Sequence, residues 1–308
     1  MKSAENRGEI RETRRLTGLV VGVSVSESES SADLGYTSDE INLAIVRIAA
    51  VLFGEGARLV FGHTWRPDGV MDEVLRLALR VSHAHNAPLV NFLAWPNQPG
   101  LTMVQRRQLE STLEIREIDR PADTHLPQTE SPSGSADVEI WPRARTLTEM
   151  RRQMAKTVDA QICIGGKIHG AAGRFPGVVE EAYFATRANK PIYFSGFLGG
   201  ATMEMIRAIR GETYSPDLFR PAEKVRVAFQ NANSPNMVPD ASLESDCVKR
   251  YFESELTMDR ICQTNLLTAA ENTVMWDATG IDPAIVMILR GLLRVNAART
   301  ATGRHTTR

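Results

Sequence analysis

The sequence predicts an α/β fold, specifically a Rossmann-like doubly wound parallel sheet with a C-terminal helical extension. Three observations predict it. Short β-branched or apolar runs alternate with stretches whose apolar residues recur at the helical period of 3.6. Several of these runs end in glycine or in polar residues just before a helix begins. The chain also has 308 residues, which is enough for one large α/β domain or two small ones.

The alternation is clearest near the start of the chain. The pattern predicts, in order, a strand at 19–23, a helix from Thr37, a strand at 58–61, a helix at 70–81 and a strand at 88–92. Thr37 and Glu40 have the spacing of a capping box, in which each side chain bonds the other's backbone N–H at a helix start. This β-α-β-α-β order is typical of a doubly wound parallel sheet.

The pattern weakens after residue 93 and returns near residue 147. The weak stretch predicts a helix at 106–113 and a strand at 114–118. Apolar residues at Met150, Met154 and Val158 then indicate an amphipathic helix. The remaining predicted elements are strands at 161–164 and 191–194, and helices at 178–189, 201–210, 243–255, 258–271 and 283–295.

These elements suggest a division of the chain into five parts. We expect a disordered leader at 1–15, a Rossmann-like nucleotide-binding domain at 16–212 with a mobile insert at about 121–140, a helical extension at 213–298 and a disordered tail at 299–308. The insert is rich in serine, proline and acidic residues, a composition that favours disorder. The segment 283–289 is apolar around most of a helix, so it must be buried, and we expect a homo-oligomer.

Composition excludes several classes of function. The net charge is −1, which argues against direct binding of nucleic acid or of an anionic membrane. We find no apolar run of the roughly 20 residues that a transmembrane helix needs. The three cysteines have no CxxC spacing, and a cytoplasmic location is the simplest setting for them. Cys163 lies in an apolar strand, so we expect it to be a small core residue. The sequence has no cysteine–histidine cluster, so we predict no bound metal. We also predict no cofactor.

The richest cluster of candidate functional residues follows the strand at 161–164. Its members are Gly165, Gly166, Lys167, Arg174, Gly177, Glu180 and Glu181. Glycines after a strand let a ligand approach the backbone, and the next helix directs free N–H groups at the same crevice. Lys167 and Arg174 can neutralise phosphate, and either glutamate can bond ribose hydroxyls. The alternative is that the glycines only form a turn and the glutamates only complement the helix dipole.

Three other loops follow predicted strands. Their candidate ligand-binding residues are Ser24, Ser26 and Glu27 in the first, Gly62, His63 and Arg66 in the second, and Gly196, Gly199 and Gly200 in the third. Each has a plainer interpretation as a solvated loop or a tight turn. Because the carboxyl ends of parallel strands share one edge of a sheet, all four loops are expected to converge on one crevice.

The motifs resemble those of the SLOG (Smf/DprA–LOG) superfamily, in particular its branch found in bacterial conflict systems. The resemblance covers residues 16–210 and depends on Gly22-Val-Ser-Val-Ser-Glu27, Ala57-Arg-Leu-Val-Phe-Gly62, Phe92-Leu-Ala-Trp-Pro96, Met150-Arg-Arg152, Gly165-Gly-Lys167, Gly173-Arg-Phe-Pro-Gly-Val-Val-Glu-Glu-Ala182 and Gly196-Phe-Leu-Gly-Gly200. The LOG enzymes of this superfamily split nucleoside monophosphates at the N-glycosidic bond, and other members bind nucleotide-derived signals.

The resemblance implies that Gly165, Gly166, Gly177 and Glu181 correspond to the glycines and glutamate of the LOG motif. The sequence departs from that motif in two ways. Residues 167–176 separate the glycine pair from Gly177, where the enzymes have a single residue, and valine at position 178 replaces the motif threonine. The lost hydroxyl removes a phosphate donor, which argues against hydrolysis, although Lys167 or Arg174 could compensate.

Two functions from different classes follow. The leading one is a sensor in a bacterial conflict or antiphage system that binds a nucleotide-derived ligand, such as one related to NAD, ADP-ribose or a cyclic nucleotide, and passes the signal to a separate effector protein. The alternative is a nucleotide or NAD hydrolase of the N-glycosidase type. In that enzyme Glu181 would stabilise positive charge on the ribose and Glu180 or Glu27 would position water. A third interpretation is a scaffold or partner subunit that retains an unused pocket.

Overall fold

The computed structural model describes residues 14–62, 69–81, 87–97, 101–120, 140–231 and 243–305. Six strands form its central sheet: β1 (Val20–Ser26), β2 (Arg58–Phe61), β3 (Leu89–Ala94), β4 (Leu113–Ile118), β5 (Ala160–Gly165) and β6 (Ile192–Ser195). All neighbouring strands pair in parallel, in the order β4-β3-β2-β1-β5-β6. The predicted α/β fold with a doubly wound parallel sheet is therefore confirmed.

Helices separate the strands along the chain and then continue beyond the sheet. Those of the sheet region are α1 (Ser38–Gly54), α2 (Val70–Val81), α3 (Met103–Leu109), α4 (Ile140–Thr157), α5 (Gly177–Arg187) and α6 (Gly200–Arg210). The later ones are α7 (Glu223–Asn231), α8 (Ser245–Arg250) with a π-helical turn at Tyr251–Glu255, α9 (Met258–Asn265), α10 (Ala269–Trp276) and α11 (Ile281–His305). The capping box at Thr37 and Glu40 is present at the start of α1.

Both faces of the sheet are covered. Successive side chains of a strand point to opposite faces, and in β2 the buried side chains of Leu59 and Val60 belong to different apolar clusters. Leu59 joins the larger cluster, which includes residues of α1 and α2. Val60 joins a smaller cluster that contains Met150 and Met154 of α4. The result is a three-layer arrangement, which explains why the strands are apolar on both faces.

The strand order reverses between β1 and β5. From β1 the chain moves outward through β2 and β3 to β4, and then returns to the other side of β1 to build β5 and β6. Ser26 at the carboxyl end of β1 lies in register with Gly165 at the carboxyl end of β5. In open α/β sheets a crevice forms outside this reversal point, and it is the usual place for ligands.

The C-terminal helices cover the β6 edge of the sheet. The side-chain amide of Asn265 donates to the Ile192 carbonyl over 3.0 Å, and the Ser195 hydroxyl donates to the Met275 carbonyl over 3.1 Å. The Gly196 N–H donates to the Trp276 carbonyl over 3.2 Å. The first and third of these bonds satisfy backbone groups at or next to an edge strand, which would otherwise be unpaired. Within the described ranges, the helices are all too short or too polar to span a membrane.

The helical extension differs from the sequence prediction in two places. The single helix predicted at 258–271 is wrong: it is two helices, because Leu266 takes a left-handed backbone conformation with φ of 57° and Thr268 caps the second one. Also, α11 continues through 299–305, where we expected a disordered tail. An ion pair of 2.7 Å between Arg299 and Asp159 ties this part of α11 to the start of β5. Residues 1–13 of the predicted leader and 121–139 of the predicted insert lie outside the described residues.

Candidate functional site

A cavity of about 640 Å³ opens at the carboxyl ends of β1 and β5, where the strand order reverses. Its walls come from the ends of β1, β2 and β5, from α1, α2, α4 and α5, and from the loop before α5. The lining residues are Val23, Ser24, Val25, Ser26, Glu27, Ser38, Ile41, Asn42, Ile45, Phe61, Gly62, Val70, Met71, Arg151, Gly166, Lys167, His169, Gly170, Ala171, Ala172, Gly177, Val178 and Glu181. The cavity thus gathers predicted residues from three of the four loops.

Glu181 lies in the wall of this cavity on the first turns of α5. Its side chain is only 10% exposed, and it accepts a hydrogen bond from the Ser24 hydroxyl of β1. Nε of Arg151, on α4, lies 3.8 Å from Oε1 of Glu181. Three elements of the fold therefore fix the position of one carboxyl group at the cavity.

Burial raises the pKa of Glu181 to about 7. The positive charge of Arg151 and the hydrogen bond from Ser24 oppose this rise, and the nearby charge of Glu180 adds to it. Glu181 consequently changes its charge close to neutral pH. It can accept hydrogen bonds from two hydroxyls when ionised, and it can donate a proton when neutral.

Glu180 lies behind the cavity wall and is fully buried. Its carboxylate accepts hydrogen bonds from Nη1 of Arg151 over 2.7 Å and from the backbone N–H of Phe175 over 2.9 Å, and a third comes from the Thr148 hydroxyl over 3.2 Å. It is absent from the cavity lining. The geometry therefore does not place Glu180 where it could position water for a ligand, as the sequence suggested. Instead, Glu180 holds Arg151 and the residues before α5.

The glycine pair at the end of β5 allows two strands to approach closely. Gly165 has a φ of 69°, and a Cβ atom there would collide with the carbonyl oxygen of Ser26. Gly166 follows with a φ of 96° and lines the cavity. At the start of α5, a Cβ on Gly177 would lie 2.8 Å from Nη2 of Arg151. Larger residues at these positions would thus displace the backbone or the arginine that border the cavity.

Lys167 and Glu27 face each other at the rim of the cavity. Nζ of Lys167 lies 3.6 Å from Oε2 of Glu27, and the Ser38 hydroxyl at the start of α1 donates to the same carboxylate. Both charged side chains are about half exposed. The positive charge expected to neutralise a phosphate is therefore already paired in this structure, and an anionic ligand would compete with Glu27 for it.

Several predicted residues lie away from the cavity. Gly199 and Gly200, where β6 connects to α6, pack against the loop that follows β1, and Gly196 packs against Met203 and the Trp276 carbonyl. The Gly200 N–H donates to the Ser30 hydroxyl over 3.1 Å, so the chain itself fills this turn. The guanidinium of Arg174 lies 6.0 Å from the centroid of the Phe175 ring, and burial lowers its pKa. His63 and Arg66 lie outside the described residues.

The structure also brings residues to the cavity that sequence reasoning did not select. The most important is Arg151, whose side chain is only 9% exposed and contacts both glutamates of α5. The sequence placed Arg151 in the Met150-Arg-Arg152 motif on a predicted helix, but it did not indicate the direction of the side chain. Asn42, Ser38 and His169 also line the cavity. In the described part of the chain, no cluster of histidine, cysteine and acidic residues has the arrangement of a metal site.

Comparison with known proteins agrees with this architecture. No curated protein matches the sequence. A family model described as SLOG cluster2 matches residues 15–272, which extend from just before β1 into α10. Such a match indicates a ligand-binding domain of the SLOG type and supports a small molecule as its partner. The chain therefore belongs to the SLOG cluster2 family of the SLOG superfamily.

Proposed function

We propose that this protein binds a nucleotide-derived small molecule and acts as a sensor for it in a bacterial conflict or antiphage system. One observation carries the proposal: a cavity with a buried carboxyl group, serine hydroxyls and a glycine-rich turn at the reversal point of a parallel sheet. Its volume of about 640 Å³ falls within the ~300–1,000 Å³ of typical ligand pockets. Membership of a SLOG family supports the same conclusion.

The lining groups fit the parts of a nucleotide. The carboxylate of Glu181 and the hydroxyl of Ser26 are acceptors that suit ribose hydroxyls. Gly166 and Gly177 leave the backbone accessible, and α5 begins at Gly177 with its positive dipole end towards the cavity. Lys167 adds a positive charge at the rim. A phosphate at the start of α5 would lie next to the positive end of the helix dipole and near Lys167. The ribose would then lie next to the carboxylate of Glu181.

Two features favour sensing over hydrolysis. Valine at position 178 lines the cavity where LOG-like enzymes have a threonine, so a hydroxyl donor for phosphate is replaced by an apolar group. Glu180, the first of the two glutamates of the motif, is buried and fully engaged with Arg151. Both features reduce the set of groups that could activate water, and they leave the groups that could hold a ligand.

A second candidate function is hydrolysis at the N-glycosidic bond. It is favoured by one specific observation, the pKa of about 7 of Glu181. A carboxyl group with such a pKa can act as a general acid or base at neutral pH. In its ionised form it can also stabilise positive charge that develops on a ribose. Glu27 at the rim is then the group that would position water.

Binding is tested by calorimetry and thermal unfolding against NAD, ADP-ribose, cyclic ADP-ribose and nucleoside monophosphates. A ligand present at 100 times its dissociation constant should stabilise the fold by about 2.7 kcal/mol. Asn42→Trp places a large side chain in the cavity wall and should abolish the effect. Ala50→Trp, at an exposed position of α1 outside the cavity lining, is the matched control and should keep it. If no ligand of the panel stabilises the natural protein, the proposal fails.

The two candidate functions are separated by the fate of the ligand. A bound ligand that chromatography recovers unchanged after long incubation excludes hydrolysis. If the ligand is instead consumed, Glu181→Gln should retain binding and lose turnover. In that case sensing alone is an incomplete description of the protein.

We also propose that the protein acts as a homo-oligomer that signals through a separate effector protein. On α11, Ala284 and Ile288 are buried, whereas the side chain of Val286 is about half exposed. Leu43, on α1, is similarly exposed. Light scattering should show an assembly larger than one chain, and a monomer at all concentrations would contradict the proposal.

A further inference from the structure

Two successive backbone amides in the loop before α5 bind a single carboxylate. The N–H of Ile168 lies 3.0 and 3.1 Å from the two carboxylate oxygens of Glu29, and the N–H of His169 lies 2.7 Å from one of them. Glu29 belongs to the loop between β1 and α1, 139 residues earlier in the chain than Ile168. Successive N–H groups that converge on one point form an anion-binding nest.

The position of this nest links it to the cavity. Lys167 and His169, one of its own residues, both line the cavity, and so does Gly170. The nest therefore borders the space that a ligand would occupy, on the side where Lys167 supplies a positive charge. Glu29 itself is absent from the cavity lining, so its carboxylate reaches the nest from outside.

The nest prefers an anion to a neutral group. Partial burial raises the pKa of the Glu29 carboxyl, but the hydrogen bonds from the backbone N–H groups of His169 and Ile168 outweigh it and leave the pKa lowered. The ionised form is thus stabilised at this point. A phosphate offers the same kind of acceptor oxygens with more negative charge, so it can replace the carboxylate on the same donors.

We propose that the Ile168–His169 amide pair is a binding site for one phosphate of the ligand, and that Glu29 occupies this site until the ligand displaces it. The inference rests on the proposed function in one respect, that the ligand carries phosphate. It adds a second anion site to the one at the start of α5. A ligand with two linked phosphates can reach both sites, which selects diphosphate compounds over monophosphates.

Displacement of Glu29 also gives ligand binding a structural consequence. The loop that carries Glu29 is anchored on both sides of that residue. The Ser28 hydroxyl donates to the Leu198 carbonyl over 2.6 Å, and the Tyr36 hydroxyl donates to the Thr279 carbonyl over 2.8 Å, just before α11. A loop released from the nest can shift against these contacts. Occupation of the cavity is thereby coupled to the helical extension.

The experiment uses inorganic pyrophosphate as the probe and compares Glu29→Ala with Asp33→Ala. Both substitutions remove one negative charge from the same loop, but only the first empties the nest, because the two amides donate to Glu29. Glu29→Ala should bind pyrophosphate about tenfold more tightly than the natural protein, since its site no longer has to be vacated. Asp33→Ala should change the affinity by no more than about twofold, because it leaves Glu29 in the nest and removes only a solvent-screened charge.

Amide hydrogen exchange at Ile168 and His169 gives a second readout. Both amides should exchange faster in Glu29→Ala than in the natural protein, and pyrophosphate should restore their protection. If Glu29→Ala does not fold, Glu29→Gln keeps the size of the side chain, removes its charge and should show a smaller gain in affinity.

The inference is overturned if the Glu29 variants bind pyrophosphate no more tightly than Asp33→Ala, or if the probe leaves the two amides unprotected. These results do not depend on the nucleotide panel. If a nucleotide binds the natural protein but the pyrophosphate test fails, only the Glu29 inference is refuted. A successful pyrophosphate test without binding of any nucleotide supports the nest and removes the proposed function alone.

Discussion

Two glycine-rich connections between a strand and a helix lie side by side in this protein, and they serve different purposes. The connection between β5 and α5 runs past Gly166 and lines the cavity. The connection between β6 and α6, with Gly199 and Gly200, is filled by the protein's own chain, because Ser28 and Ser30 pack against these glycines. The two connections also contact each other, through a hydrogen bond of 2.8 Å from the Ala201 N–H to the Gly166 carbonyl.

The difference shows what a glycine-rich turn does and does not specify. The missing side chain allows something to approach the backbone closely. Whether a ligand or another part of the chain approaches is decided by segments that are distant in the sequence. Here the loop after β1 closes one connection and borders the other. Substitutions on the two sides of this contrast should therefore differ in their effects on stability.

The β5–α5 connection, which is open to the cavity, depends on a buried ion pair. Glu180→Ala should therefore have the largest effect on the stability of the protein. Removal of this carboxylate leaves Arg151 buried with only Glu181 nearby, at 3.8 Å. Loss of one partner from a buried pair typically costs about 3–5 kcal/mol. Urea unfolding should show a decrease of this size in the free energy of unfolding.

The matched control for this prediction is Glu149→Ala. Glu149, on α4, forms a partly exposed ion pair of 3.8 Å with Arg152. Exposed pairs contribute about 0–1 kcal/mol, so this variant should be nearly as stable as the natural protein. Equal losses from the two variants would show that Glu180 does not brace the open connection.

The β6–α6 connection, which is closed by the loop after β1, should not tolerate a side chain at position 200. Gly200 has a φ of 60°, and a Cβ there would collide with the Ser28 side chain and with the carbonyl oxygen of Gly166. We expect Gly200→Ala to cost about 3–4 kcal/mol, from overpacking together with the left-handed backbone. Gly170→Ala separates the two causes, because Gly170 has a φ of 68° and open space around it. It should lose only about 1–2 kcal/mol in urea unfolding, and a similar loss from both variants would argue that the β6–α6 connection is not tightly filled.

The sequence alone was sufficient to predict the fold because local patterns determine it. The strand predicted at 58–61 and the helix predicted at 70–81 match β2 and α2. Their apolar spacing and flanking glycines are local signals. The edge of the sheet that carries the cavity also followed, since parallel strands must end together.

The details of the candidate site could not be predicted in the same way. Glu180 and Glu181 are neighbours in one helix, and only the rotation of α5 against β5 and α4 decides which one faces the cavity. The role of Arg151 depends on the same packing. The contact between Glu29 and the amides of Ile168 and His169 joins two loops that no local pattern connects. Site residues therefore require the tertiary arrangement even where the site's location does not.

Glu181→Gln should remove one pH-dependent contribution to the stability of the protein. The pKa of Glu181 is raised from 4.5 to about 7 by burial, so its contribution to stability is fully present below the unfolded-state value and is lost as pH rises through about 7. This shift corresponds to about 3 kcal/mol at most. In urea unfolding the variant should be the more stable protein at pH 8, and the difference should disappear near pH 4.

Glu271→Gln is a control for which we expect the opposite change in stability at neutral to alkaline pH. Hydrogen bonds from Arg294 and from the backbone N–H of Thr268 lower the pKa of Glu271 to about 2. Its contribution is therefore present above the unfolded-state pKa and is lost as pH falls towards 2. This variant should be less stable than the natural protein at pH 7. If Glu181→Gln showed the same sign, burial would not be disfavouring the ionised form of Glu181.

The smallest expected effect concerns the hydroxyl that closes the β6–α6 connection. The Ser28 hydroxyl donates to the Leu198 carbonyl over 2.6 Å in a buried position, and Ser28→Ala removes this bond. The Ser31 hydroxyl already lies 3.3 Å from the same carbonyl and can satisfy it, so the loss should be only about 1 kcal/mol in urea unfolding. A loss of 3 kcal/mol or more, well beyond the ~1 kcal/mol of a typical hydrogen bond, would mean that Ser31 does not substitute. The closed connection would then depend on one hydroxyl as strongly as the open one depends on its ion pair.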